Sequence, residues 1–116
     1  MADKFLSFSK TGSGSLQSVY TVPEGDEGAV PPIFPTTALV KSIRISNPTG
    51  GAVTTKVLVV DSSNTNLSIN LYQDSLAAET TQEVLSQPIV LEKLDKIDIT
   101  GNGVTILVSL MEIALA

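Results

Sequence analysis

Two oxygen-rich stretches are where residue type and spacing could do chemistry in this sequence. The first is Glu24-Gly25-Asp26-Glu27-Gly28 and the second runs from Asp61 through Asn64 to Asn66. Clustered carboxylates and amides suit Ca²⁺, which takes six to eight oxygen ligands. Neither stretch has the regular ligand spacing of an EF-hand, and a solvated turn accounts for each, so no metal and no other cofactor is expected. Catalysis meets a shortage of parts. The chain has no His and no Cys, which removes His-assisted triads, thiolate nucleophiles and the common zinc sites. Paired carboxylates could still hydrolyse glycosides, but the acids fall in turns and at strand ends. The stretches Gly12-Ser13-Gly14-Ser15 and Gly101-Asn102-Gly103 read as turns, because a phosphate cradle needs a helix N-terminus after its glycines. The chain is not expected to be an enzyme.

Binding is the chemistry that remains, and it is carried by apolar groups in unusual places. The segment from residue 23 to residue 37 holds Val30, Ile33 and Phe34 between prolines. Proline fixes φ and so lowers the entropy lost on docking. A loop of this kind either folds over one end of its own core as a lid or docks on a neighbouring subunit. Phe5 and Phe8 near the N-terminus pose the same choice. Met111 and Ile113 flank Glu112 in the apolar closing run, where a lone carboxylate suits a solvent-facing edge that discourages stray strand pairing. These seven residues (Phe5, Phe8, Val30, Ile33, Phe34, Met111 and Ile113) form the candidate subunit or partner interface. Tyr20 and Tyr72 are the aromatic platforms that a carbohydrate- or receptor-binding module would use, since stacking on sugars needs exposed rings and there is no Trp.

Something must position these groups. A chain of 116 residues fits one domain with one core. Seven basic residues stand against twelve acids, a net charge of −5, and the basic residues are scattered. Nucleic acid and anionic membranes are therefore not expected partners. No apolar run reaches signal-peptide or membrane-span length, so the chain is expected to be made in, and initially soluble in, a cytoplasm.

Alternation of apolar and polar residues dominates the pattern, which predicts an all-β antiparallel sandwich or jelly roll in one domain, residues 1–116. Strands are expected at 5–10 and 16–22, where the Gly-Ser stretch between them could close a hairpin, and at 38–46 and 52–61. The run Leu67, Ile69, Leu71 points a clean apolar row inward. The stretch 74–82 could form a helical turn. Pro88 marks 83–91 as an edge or a bulge rather than a central strand. The glycines of 101–103 signal a hairpin into the closing run 104–116, whose β-branched start favours strand over helix.

From Ala38 onward the phrasing resembles a known group. "ALVKSIRISNPTGGAVTTKVLVVDSS", "PIVLEKLDKIDIT" and "VSLMEI" resemble recurring stretches of small β-sandwich virion structural proteins of tailed bacteriophages, of the marine and cyanophage type. The resemblance implies a capsid decoration (cement) protein, or a neck, tail or fibre-associated one. It implies residence on the virion and partnership with further copies of the chain, a trimer or other ring foremost, and with other virion proteins such as the major capsid protein. It implies no site residues, since none of the matching stretches is a binding motif. The first 37 residues fall outside it.

Overall fold

The computed structural model describes residues 3–26 and 28–114; the ends of the 1–116 span and Glu27 lie outside the described residues. Among the described residues, nine strands form two antiparallel sheets packed as a sandwich: β1 Asp3–Thr11, β2 Gln17–Thr21, β3 Thr36–Asn47, β4 Val53–Asp61, β5 Leu67–Leu76, β6 Thr80–Glu83, β7 Ile89–Leu91, β8 Lys96–Thr100 and β9 Thr105–Ala114. One sheet runs β1-β9-β3, with β6 and β7 both pairing along the far edge of β3, and the other runs β2-β8-β4-β5. With β6 and β7 taken as one interrupted strand, the order is that of an eight-stranded jelly roll. The interruption spans Val84 to Pro88, so Pro88 sits beside an edge, where its missing N–H breaks no ladder.

Strict alternation explains how the layers meet. Ile106, Val108 and Leu110 of β9 face Ile97 and Ile99 of β8 and Val57 and Val59 of β4 in one buried core, with Val40, Ile43 and Ile45 of β3 beside them. Each such side chain contributes roughly 1.5–3 kcal/mol by leaving water. The closing run is strand, as its β-branched residues favour.

Two expected hairpins are absent. β1 pairs β9 while β2 pairs β8, so Gly12 to Leu16 carries the chain from one sheet to the other. The 101–103 glycines likewise join β8 of one sheet to β9 of the other. Alternation and a glycine turn define two adjacent strands but not whether they share a sheet. The crossings stack on each other instead: Gly12 N donates to Val104 O (2.7 Å) and Gly101 N to Ser13 O (3.0 Å). A Cβ on Gly12 would lie 2.5 Å from the Gly101 carbonyl oxygen, so only glycine permits this approach.

Each end of the sandwich is tied by one buried polar side chain. At the crossing end, Asn47 Nδ2 donates to Gly51 O and Leu76 O, both at 2.9 Å, and its Oδ1 accepts from Thr49 N at 3.0 Å. At the other end, Asp95 accepts from Ser62 N and from Glu92 N, both at 2.9 Å. The stretch 74–82 is strand and turn, not helix: β5 runs to Leu76, and Glu79, at φ 57°, turns the chain into β6. The alternating row of β5 is only partly inward. β5 is an edge strand bonded to β4 alone, and its Leu67 and Ile69 remain about half exposed while Leu71 packs against the core.

Candidate functional site

The outward face of the β1-β9-β3-β7 layer carries an apolar row that crosses every strand. Phe5 stands opposite Met111, Met111 opposite Leu39 and Leu39 opposite Val90. Phe5 is 72% exposed and Val90 62%, with half-buried Leu39 and Met111 between them. Ile113, one outward position further along β9, sits opposite Thr37. These residues point outward because their neighbours Ala38, Val40 and Leu110 are buried inward, and strand side chains alternate. Apolar groups on both faces of 38–40, 89–91 and 110–111 are thus two separate surfaces, not one thick core.

Around the row the same face is short of charge. The neighbouring rows read Ser7, Ser109, Ser42, then Ser9, Leu107, Arg44, Glu83, and then Thr11, Thr105, Ser46, Thr81. Among the described strand residues, three charged side chains share it. Lys41 is the extra residue of a β-bulge between Val40 and Ser42, and its Nζ lies 5.1 Å from the centre of the Phe5 ring. That is a cation–π contact. Arg44 pairs with Glu83 at 3.4 Å. The Glu83 carboxyl also accepts from Ser42 Oγ, from Ile43 N and from Leu85 N. Partial burial alone would raise its pKa, but these hydrogen bonds outweigh that and hold it below the usual glutamate value.

The Pro-rich loop is not a lid. Val22 and Thr36, where it leaves and rejoins the sandwich, are buried, yet Val30 is 98% exposed, Ile33 58% and Phe34 39%. It is a short prong pinned by its own backbone. Asp26 N donates to Ile33 O at 2.6 Å and Ile33 N donates back to Asp26 O at 2.8 Å, while Asp26 Oδ1 accepts from Gly28 N at 3.1 Å. Gly25, at φ 81°, lets the chain pass so close to Phe34 that a Cβ there would sit 2.6 Å from its backbone. Beside the prong lies a shallow open groove of about 360 Å³ lined by Pro35, Thr36, Thr37, Val90, Glu92 and Lys93. It is at the small end of ligand-pocket size and suits one or two side chains of another chain.

The seven sequence-predicted residues therefore divide. Phe5, Met111 and Ile113 share the outward face. Val30, Ile33 and Phe34 form the prong at the loop end. Phe8 belongs to neither: three residues along a strand from Phe5, it faces inward and packs on Tyr20 at 4.8 Å between ring centres. Leu39 and Val90 were missed. Their signal was present in Ala38-Leu39-Val40 and Ile89-Val90-Leu91, where unbroken apolar runs imply cover on both faces.

Glu112 is not on an edge. β9 lies between β1 and β3, and the Glu112 carboxylate turns inward to accept a hydrogen bond from Tyr20 Oη at 2.5 Å. Burial, and then the carboxylate beside it, push the Tyr20 pKa upward. Tyr20 is thus a core residue and Tyr72 packs against the core, so neither stands free as a sugar-stacking platform. The second oxygen-rich stretch is spent on its own turn: Asp61 Oδ1 accepts from Ser63 N at 3.1 Å and from Ser63 Oγ at 2.7 Å. Of the first, Glu27 lies outside the described residues, and among those described no group of three or more candidate metal ligands converges. No helix among them is long and apolar enough to cross a membrane.

A solved structure shares the fold. A chain from Bacillus endospore appendages, described as a family of disulfide-linked pili, superposes with TM-score 0.52 at 13% identity, covering 99% of this chain and 88% of that one. A chain of infectious bursal disease virus, Gx strain, matches with TM-score 0.45 at 8% identity over 97% of this chain and 37% of that one. At such identity the likeness to the appendage chain is one of fold alone: a two-sheet β-sandwich. No protein-family model and no curated protein matches the sequence.

Proposed function

We propose that this chain is a structural subunit that acts by burying surface rather than by catalysis, and that it is a virion protein of a tailed bacteriophage. In this reading it is a capsid decoration protein that joins the particle as an oligomer beside the major capsid protein. The observation that carries the reading is the row Phe5–Met111–Leu39–Val90, an exposed apolar strip on a face nearly free of charge. Depletion of charge around exposed aromatic and aliphatic groups is the mark of an interface centre. A solved protein of the same fold belongs to a pilus, which supports a role in assembly. The pili of that protein are disulfide-linked; a chain without Cys has no such link to use and would hold its neighbours by non-covalent contacts. Repetition over a lattice makes many modest contacts strong. The net charge of −5 favours a place on the outer surface, away from packaged DNA.

Co-sedimentation with expanded capsids and with tails of the phage that carries the gene tests this. Saturable binding to capsids at a fixed ratio to the major capsid protein is the expected result. Binding to tails alone would move the subunit to the neck or tail and keep the structural role. A chain that ignores both particles and never associates with itself contradicts the proposal.

A further inference from the structure

The prong and the groove stand side by side at one end of the molecule, and neither fills the other. Val30 at the prong tip is 98% exposed. The groove next to it opens between Pro35, Thr36 and Thr37 at the start of β3 and Val90, Glu92 and Lys93 at the end of β7. We infer that this end is covered by a second copy of the same chain, Val30 of each copy seating in the groove of the other beside Val90. The inference rests on the assembly reading above and names its partner.

Three observations select a second copy. An apolar knob, Val30, and a hole with Val90 and Pro35 in its lining belong to one chain, so a two-fold axis lets each copy fill the other. An isologous contact repeats one patch in this way. A knob and hole at opposite ends would instead have built a filament, and adjacent ones close at two copies. Charge agrees as well. The chain carries −5 overall, so copies repel over most of their surface. The groove, however, carries one acid and one base, Glu92 and Lys93, and runs through Val90 into the face that holds the cation Lys41. The available area is also sufficient. Strands β1, β9 and β3, nine to twelve residues long, with the short β6 and β7 beside them, at ~4.8 Å spacing and ~3.3 Å rise, present roughly 600 Å². Together with the prong this approaches the ~800 Å² per partner of a standard interface. The prong is held by its own backbone hydrogen bonds before contact, so little ordering is left to complete on docking.

The absence of Cys makes the test direct. Chains carrying Val30→Cys or Val90→Cys alone are purified reduced, checked by circular dichroism for the wild-type fold, and mixed under mild oxidation. Both positions are exposed, so both variants are expected to fold. The mixture should give a disulfide dimer at least tenfold faster than either variant alone. The Val30→Cys/Val90→Cys double variant should end as doubly linked dimers, not as longer chains. Three results would each overturn the inference. One is equal dimer rates from the mixture and the single variants. Another is ladders of higher oligomers from the double variant. The third is an associating wild type whose mixed variants never cross-link. The last leaves the structural role standing on another surface, whereas failure to bind particles bears on that role alone.

Discussion

The two sheets turn very different outer faces to their surroundings. On the β2-β8-β4-β5 sheet each outward row holds charge or hydrogen-bonding groups. One reads Ser18, Asp98, Leu58, Asn70; another Thr21, Lys96, Val60, Ser68; a third has Thr100, Lys56 and Gln73. Leu58 is buried there among polar neighbours, and Ser18 Oγ donates to Asp98 at 2.8 Å. That face is complete in water. The β1-β9-β3-β7 face has an apolar row, rows of serines and threonines, and one charged pair, Arg44 with Glu83. Both sheets satisfy the same core with the same Val and Ile alternation, so folding does not require the difference. A face that folding does not explain is best explained by what it touches.

If outward faces are spectators of folding, inward changes must dominate stability. Ile99→Ala, in the buried layer, should lose about 2–5 kcal/mol and lower Tm by about 10–20 °C, as read by calorimetry. An equally large loss from a serine at Phe5 would show the outward face to be part of the core.

A smaller effect sits at the rim of that core. Tyr20→Phe removes the donor to the half-buried Glu112 carboxylate and should cost about 1–3 kcal/mol. The raised Tyr20 pKa also gives a sign. Its stabilisation is fully present below the ordinary tyrosine value of ~10 and is lost as pH rises above it. Urea midpoints should therefore fall with alkaline pH more steeply in the wild type than in the Phe variant.

The smallest effect lies on the outward face itself. Glu83 has a lowered pKa, so its stabilisation is present above the ordinary glutamate value of ~4.3 and is lost as pH falls below it. Glu83→Gln should flatten the acid limb of the stability profile and leave the neutral plateau little changed. A wild-type acid limb that the substitution does not alter would remove Glu83 from the account.

The legibility of these features in the sequence follows from what alternation encodes. It shows that a strand has two faces, so the sandwich, the closing strand beginning with Thr105 and Ile106, and the edge character near Pro88 could all be read. It does not say which strand lies next door. For that reason the Gly12 and Gly101 crossings resemble hairpins, and Glu112, flanked by Met111 and Ile113, resembles an edge residue although β9 has a partner on each side. Nor does it say where a sheet stops, which is why Leu67 and Ile69 on β5 look inward and stand at the rim. Phe5 and Phe8 looked like a pair; odd spacing on a strand puts them on opposite faces. The prong was visible from its prolines, but its exposure depends on Asp26 pairing with Ile33, a contact made by backbone atoms that side-chain chemistry does not announce.

The central claim is that the apolar outward face makes assembly contacts. Its most direct test is mass in solution by light scattering, on the wild type, on Phe5→Ser/Met111→Ser, and on Lys56→Ser/Asn70→Ser as a control on the other sheet. The account predicts a wild-type oligomer, the same oligomer for the control, and a folded monomer for the Phe5/Met111 variant. Its dissociation constant should be weaker by at least tenfold, as for loss of an interface anchor. A wild type that stays monomeric at every concentration, or a Phe5/Met111 variant that keeps the wild-type mass, would contradict it.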